Sequence, residues 1–525
     1  MLALSPKSNF SAKNITHLPT LFFYFFAKKV DNIIKSDKIT YRKNAKEGAT
    51  VNPKPKMKNR TVDMTEGPIL SKIVRFVLPI MATNILQMLY NAADIMVVSL
   101  STEQNAVGAI TTASPFVALI VNIFIGFSVG ANVLVARFLG ARDNERVSRT
   151  VHTSVLVSLV VGVLCTVLGI FISRPILSMM GAEGDLLDLA TLYTLIYFCG
   201  APFMAATNFL SSIFRAKGDT KTPLYVLSLS GIANVLLNLF FVMVCGMSVE
   251  GVAIATAAAN LISSAVLLYI LSKDEGPCRF SFKNCSIDRA ALIGIIKEGL
   301  PAGVNGAVFS LSNMVITSSV LTVNNLVTPV GSAYEPIVKG NGAAANIGGF
   351  VYTAVNSVYQ AAITFTSQNV GAKKYPRVWK VMASTVAFAM IVGAVSSGIV
   401  MLFKDPLLSL YGVVNGAEGS LEKMAYDAAV TRVVYVISLY FIIAWQEAGC
   451  GVVRGLGKST LSMIISLIGA CGLRLAWISF IFPLSKTLET IYISYPISWA
   501  LTGIVQIAAA VILLRSRIKK QTEEV

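Results

Sequence analysis

The sequence predicts an all-α, polytopic membrane protein with twelve transmembrane helices in two homologous six-helix lobes. Three observations carry that expectation: a charge-poor composition, recurring apolar runs, and an internal repeat. Of 525 residues, 54% are hydrophobic and 14% are charged, and the mean hydropathy is +0.68. Soluble domains carry about 25% charged residues. A soluble enzyme, a disordered chain and a collagen-like chain are excluded on those grounds, and runs of about twenty apolar residues point to a bilayer.

Residues 1–63 differ from the rest, with 13 Lys/Arg against 4 Asp/Glu. The apolar stretch from Leu21 to Phe26 is too short to span a bilayer, and the sequence after it makes a poor signal-peptide cleavage site. Met64 opens MTEGPILSKIVRFVLPIM, which reads as a natural start. The segment 1–63 is therefore expected to be a basic, disordered, dispensable extension, with an interfacial anchor as the alternative.

Twelve spans follow, at 73–99, 110–136, 150–173, 188–212, 222–246, 249–271, 290–320, 345–369, 378–402, 430–453, 460–482 and 489–513. Most exceed the roughly 20 residues a helix needs to cross about 30 Å of hydrocarbon. None shows the alternation over about ten residues expected of barrel strands. The expected organisation is an N-terminal lobe (64–273), a linker (274–289), a C-terminal lobe (290–514) and a tail (515–525).

Loop charges set the orientation. With the N-terminus inside, 22 Lys/Arg fall in the inner loops and tail and 6 in the outer loops, which predicts cytoplasmic termini. A pI near 9.5 could suggest nucleic acid. Topology bias explains the charge instead, and no nucleic-acid partner is expected.

The repeat is legible in short matches. Gly140 and Val147 correspond to Gly371 and Val378 at an offset of 231, as do Pro175 and Gly181 to Pro406 and Gly412. Arg215 and Gly218 correspond to Arg454 and Gly457 at an offset of 239. Pro79 and Asn91 correspond to Pro301 and Asn313 at an offset of 222. Ordered matches of this kind indicate two halves of six helices in the same orientation.

Some chemistry is excluded. The seven cysteines form no CxxC pair, and Cys278 and Cys285 have no His near them, so they read as reduced, packed thiols without a metal. GLGKST lacks the first glycine of a phosphate-binding loop, since Val452 stands there. His17 and His152 are the only histidines, which leaves no catalytic triad. No enzyme activity and no cofactor are expected.

Polar residues inside hydrocarbon normally face a bundle interior or a wet cavity. The first span carries Asn84, Gln87, Asn91 and Asp94 on one helical face. The alternative is that the amides only join helices, but a carboxylate needs a cation, a basic partner or a proton. Tyr193, Tyr197 and Asn208 lie in the fourth span, Asn234 and Asn238 in the fifth, Thr256 and Asn260 in the sixth. The second half offers Asn305 and Asn313, then Asn356, Gln360, Thr364 and Ser367 on one stripe, with Glu447 and Arg474 as a possible pair.

With these motifs in order, residues 64–513 resemble the multidrug and toxic compound extrusion (MATE) transporters, nearest to bacterial multidrug exporters and damage-inducible-type proteins. The resemblance rests on MTEGPILSKIVRFVLPI, MLYNAADIMVV, GARDNERV with GAKKYPRV, and FRAKGDTKTP with VRGLGKST. It implies a V-shaped cleft between two lobes, and export of small amphipathic cations in exchange for inward H⁺ or Na⁺. It implies a monomer in the bacterial cytoplasmic membrane. It also implies a cation-coupling site at Asp94, Tyr193, Asn208, Asn234, Asn238 and Thr256. Three departures stand out: Asn238 replaces an acid common in the family, the seventh span lacks an acid that some relatives carry, and the Tyr334–Gly342 loop is longer than usual.

Candidates for the substrate cavity are Asn84, Gln87, Asn91, Tyr197, Asn305, Asn356, Gln360 and Glu447. Only Arg474 is expected to place positive charge in that cavity, which should therefore prefer lipophilic cations. The alternatives are a lipid-linked oligosaccharide flippase of the same superfamily, which would need several basic residues there, and a non-transporting scaffold.

Overall fold

The computed structural model describes residues 61–523, apart from 102, 104 and 329–334. Residues 1–60 of the predicted extension, and most of the stretch before Glu335, lie outside the described residues. Helices form the first half as α1 (Ile69–Val98), α2 (Ala106–Gly140), α3 (Asn144–Met179), α4 (Gly184–Cys199), α5 (Ala201–Ala216), α6 (Lys221–Leu239) and α7 (Val249–Ser272). The second half is α8 (Arg289–Val327), α9 (Pro336–Gly371), α10 (Tyr375–Leu402), the short α11 (Lys404–Ser409), α12 (Leu421–Tyr435), α13 (Tyr440–Gly455), α14 (Ser459–Ser466), α15 (Leu473–Phe480) and α16 (Leu488–Glu523).

Polar side chains set several helix starts. Asp143 accepts from the Arg146 N–H at 3.0 Å, and Asp288 from that of Ala291 at 2.8 Å. Asp219 accepts from both the N–H and the hydroxyl of Thr222. Each carboxylate satisfies a donor that the first helical turn leaves free.

All twelve predicted spans fall on helix, but apolarity does not mark all twelve. Among the described residues, with α12–α13 and α14–α15 each taken as one span, ten helical spans are long and apolar enough to cross a membrane, or eleven with the α4–α5 pair, which bends by 50°. The exception is α9, predicted as a span over 345–369. Burial explains its polarity: 25 of its 36 residues are buried, so protein rather than lipid surrounds it. The helix also begins nine residues earlier than predicted, at Pro336, which takes up part of the expected long loop.

The repeat is written into the backbone. Arg142 and Lys373 both have positive φ, at 58° and 55°, at the predicted offset of 231. Gly218 and Gly457, offset by 239, have φ of 88° and 79°. The fourth span breaks at Gly200 and the tenth around Ile437–Leu439, again at equivalent places.

The two halves meet backbone to backbone. A Cβ on Gly126 would lie 2.1 Å from the Gly303 nitrogen, and one on Gly130 would lie 2.4 Å from the Ile295 carbonyl oxygen. Nearer one end, a Cβ on Gly140 would meet the Gln368 carbonyl oxygen at 1.9 Å, and one on Gly371 that of Arg137 at 1.8 Å. Arg137 and Gln368 are themselves repeat equivalents. The contact is thus reciprocal, as a two-fold relation between halves requires.

Side chains seal this end, hereafter the seam. Thr364 donates to Asn132 Oδ1 at 3.1 Å, and Gln368 Nε2 to the Ala216 carbonyl at 2.7 Å. Ser459 donates to Glu298 Oε2 at 2.6 Å. A strap crosses the seam: the Val62 N–H donates to Gly218 O, while Asn369, Lys374 and Arg377 donate to carbonyls of Met64 to Gly67. The Met64 side chain is fully buried. Residues 61–63 therefore belong with the folded helices, and the boundary expected at 63/64 falls inside an ordered segment. The strap carboxylate, Asp63, is pushed up by burial, but hydrogen bonds from Thr65 and the fields of Lys72 and Lys374 outweigh this and hold it below the usual range.

The linker folds back on the first half. His152 accepts from the Ser281 N–H at 3.0 Å and stacks on Phe280, and Lys217 pairs with Asp274 at 3.0 Å. The expectation of uniformly packed cysteines is corrected here, since Cys199, Cys245 and Cys285 are exposed. Burial pushes the Cys278 thiol up to about 12, with Lys217 opposing and Asp274 adding to the effect.

Two outcomes follow from this packing. Gly371→Ala places a methyl against backbone that no rotamer change can clear, and should cost about 1–3 kcal/mol. Gly398→Ala has open space around it and should be neutral or slightly stabilising. Melting of the two purified variants in detergent checks this, and equal melting points would contradict the close approach. Maleimide labelling at pH 8 should modify Cys285 and spare Cys278, because the thiolate is the nucleophile; mass spectrometry of the linker peptides reads the result.

Candidate functional site

The structure divides the predicted site residues between two places. In the first half, α1 carries Asp94 against α6, and Asn238 Nδ2 donates to Asp94 Oδ1 at 2.5 Å. The same amide reaches Asn234 Oδ1 at 3.4 Å, and Asn234 Nδ2 donates to Thr256 Oγ1 at 3.3 Å. Thr256 also hydrogen-bonds Asp94, and the phenols of Tyr193 and Tyr197 lie within its electrostatic reach. The two rings are 5.8 Å apart. Asn238 Oδ1 is buried without a partner.

Four of the six predicted coupling residues thus surround a fifth, the Asp94 carboxylate. The sixth, Asn208, turns away and donates to the Met204 carbonyl at 2.9 Å. Chemically, this is an acid that two side chains solvate, and no basic side chain forms an ion pair with it among the described residues. It can hold a proton, or its charge can be met by a small cation.

The second place is a cavity of about 620 Å³ inside the second half, closed on one side by Asn122–Val129 of α2. Asn305, Asn356, Gln360 and Glu447 line it as expected. The other cavity candidates do not. Asn84 donates across the halves to Ser357 Oγ at 3.1 Å, Gln87 and Asn91 are exposed on α1, and Tyr197 sits beside Asp94.

The expected charge of this cavity is corrected. Arg432 and Arg454 line it together with Arg474, against one acid, Glu447. Arg432 Nη1 donates to Asn341 Oδ1 at 2.6 Å. Arg454 donates to the Tyr359 hydroxyl, and Arg474 Nε to Ser498 Oγ at 2.8 Å. Glu447 and Arg474 do not form the possible pair: Asn356 lies beside Glu447, and Arg454 is the opposite charge whose field reaches it.

Sequence reasoning missed Arg432 and Arg454 because both lie close to the ends of their spans, where loop charge is ordinary. The repeat held a signal for Arg432, which occupies the place of Tyr193 at the offset of 239. The stripe Asn356–Gln360–Thr364–Ser367 is also split. Its first two members face the cavity, Thr364 bonds across the seam to Asn132, and Ser367 bonds within the second half to the Gly455 carbonyl.

Comparisons with known proteins agree with this architecture. The MatE family model matches residues 79–240 and 308–478, more than half of the chain. The chain is similar to the probable multidrug resistance protein YoeA of Bacillus subtilis, 26% identical over 345 residues, covering 64% of this chain and 72% of that one. It is similar also to the probable multidrug resistance protein NorM of Thermotoga maritima, 22% identical over 78% of this chain and 84% of that one. Among solved structures, an outward-facing multidrug resistance MATE family transporter of the MOP superfamily superposes with a TM-score of 0.79 at 20% identity, over 88% of this chain and 100% of that one. That likeness shows a shared fold.

Proposed function

Because the chain belongs to the MatE family of multi-pass membrane transporters, we propose that this multidrug efflux protein is a secondary antiporter that exchanges small amphipathic compounds, lipophilic cations among them, for H⁺ at Asp94. The observation that carries the coupling reading is the Asn238–Asp94 hydrogen bond at 2.5 Å inside a helix bundle. A carboxylate there is costly unless neutralised. Protonation removes the charge, releases Asn238, and favours one packing of α1 over another, so a proton gradient can bias two states. Pro79 supports this by interrupting the hydrogen-bond ladder of α1.

The donors around the site support H⁺ over Na⁺. A hard cation is held by oxygen atoms, whereas Asn238 presents its NH₂ to the acid and Asn208 is turned to a backbone carbonyl. An acid flanked by Tyr193 and Tyr197 also suits lipophilic cations, since aromatic faces attract positive charge. By the loop-charge asymmetry, the reading places the seam and both termini on the cytoplasmic side of a bacterial inner membrane, with a monomer as the working unit.

One observation favours a second reading. Transport of a lipid-linked pyrophosphate would require several basic residues in the cavity, and Arg432, Arg454 and Arg474 meet that requirement.

The test is transport in proteoliposomes under imposed gradients. Asp94→Asn should insert and fold, yet its gradient-driven export should fall to the passive leak. Asn238→Asp should keep activity and raise Na⁺ dependence. Export by Asp94→Asn at the wild-type rate would refute the assignment, and an imposed Na⁺ gradient that drives export where a pH gradient does not would move the coupling to Na⁺.

A further inference from the structure

We propose that the cavity of the second half is an organic-anion site, in which Arg432 and Arg474 hold the acidic group and Tyr440, Tyr495 and Trp499 hold an apolar body. It goes beyond the coupling reading and rests on the cavity alone.

The arginines are built in and lack a counter-charge. Arg474 is 2% exposed and Arg454 is 4% exposed. Arg474 Nη2 and Arg454 Nε and Nη2 are buried with no hydrogen-bond partner. None of the three cavity arginines forms an ion pair among the described residues. Of the four charged lining residues, three are Arg and one is Glu447. If Glu447 is assigned to Arg454, whose field reaches it, Arg432 and Arg474 remain, a net charge of +2. A buried guanidinium with unmet donors is strongly unfavourable, more so in a membrane interior. An anionic ligand supplies both the missing charge and the missing acceptors.

Position defines the site within the cavity. Arg474 and Arg432 stand over the same ring, that of Tyr495, at 4.4 and 5.7 Å from its centroid. Both guanidinium groups therefore border one region of the cavity, where the acidic group of a ligand can accept from either fork. Tyr440 stacks on Trp499 at 5.2 Å, and Tyr495 meets Trp499 edge-on at 5.7 Å. Such a wall takes an aromatic or acyl body and gives little to a small inorganic ion. The ligand class is thus an amphipathic organic anion, either a free compound or the headgroup of an anionic lipid.

The experiment is equilibrium binding of carboxyfluorescein to the full chain in nanodiscs of neutral phosphatidylcholine. Saturable binding is expected, weakened about 10- to 100-fold by Arg474→Gln or Arg432→Gln, since a charge-assisted hydrogen bond contributes about 1.5–3 kcal/mol. Arg432→Lys keeps the charge and should restore part of the affinity. Cys285→Ser in the exposed linker should leave binding unchanged, and equilibrium binding needs no gradient, so a failed coupling site and a failed anion site give different results. Repeating the titration with 20% phosphatidylglycerol separates the sources: competition identifies a lipid headgroup, and unchanged affinity identifies a free organic anion. Should Arg474→Gln not fold, the partly exposed Arg432 carries the test alone. Absent binding, equal affinity in the arginine variants, or equal competition by the cation rhodamine 123 would overturn the proposal.

Discussion

The near-contact of glycine backbones where α2 crosses α8 and α9 is the constraint on which the rest of the structure depends. With no Cβ at Gly126, Gly130, Gly140 or Gly371, the two halves approach to distances that any side chain would forbid. Interfaces built this way gain dispersion contacts and short polar cross-links without needing the hydrophobic effect, which is weak between helices in lipid. Here the cross-links are side chains such as Thr364, Gln368 and Asn369, and the strap from Val62 to Gly67 extends them beyond the helices. The same crossing lays the Asn122–Val129 segment of α2 along the second-half cavity.

Much of the fold was legible in the sequence because hydrocarbon imposes simple rules. Apolar length located the helices, and glycine-bearing loops such as GARDNERV and GAKKYPRV exposed the duplication, which the positive φ of Arg142 and Lys373 repeats in the backbone. The limits have physical causes. Apolarity measures contact with lipid, so it under-reports α9, which protein surrounds. Periodicity places Asn84, Gln87 and Asn91 on a face but does not say what that face meets. Only Asn84 reaches across to the other half. Local sequence also cannot tell a loop arginine from one that reaches inward, so Arg432 and Arg454 were read as topology signals while their side chains line a cavity.

The two halves differ in how they handle buried charge. Around Asp94, neutral amides and hydroxyls solvate a single acid. In the second half, guanidinium groups rest on phenol and indole faces with a few hydroxyl and amide acceptors. Arginine suits that setting because its flat cation stacks on rings and is weakly hydrated. One chain thus holds sites of opposite sign, an acid in the first half and guanidinium groups in the second.

That the halves are covalently joined copies gives them a freedom that a dimer of identical six-helix chains would lack. In such a dimer each substitution enters twice, so an acid gained on one side is imposed on the other. Within one fused chain the equivalent places can diverge singly, and here they have: Asp94 faces Ile316 at the offset of 222, while Tyr193 and Asn208 face Arg432 and Glu447 at 239. The reciprocal glycine contacts stayed symmetric because each half must still fit the other. The chemistry was released from that bond, and a duplicated scaffold became a polarised one.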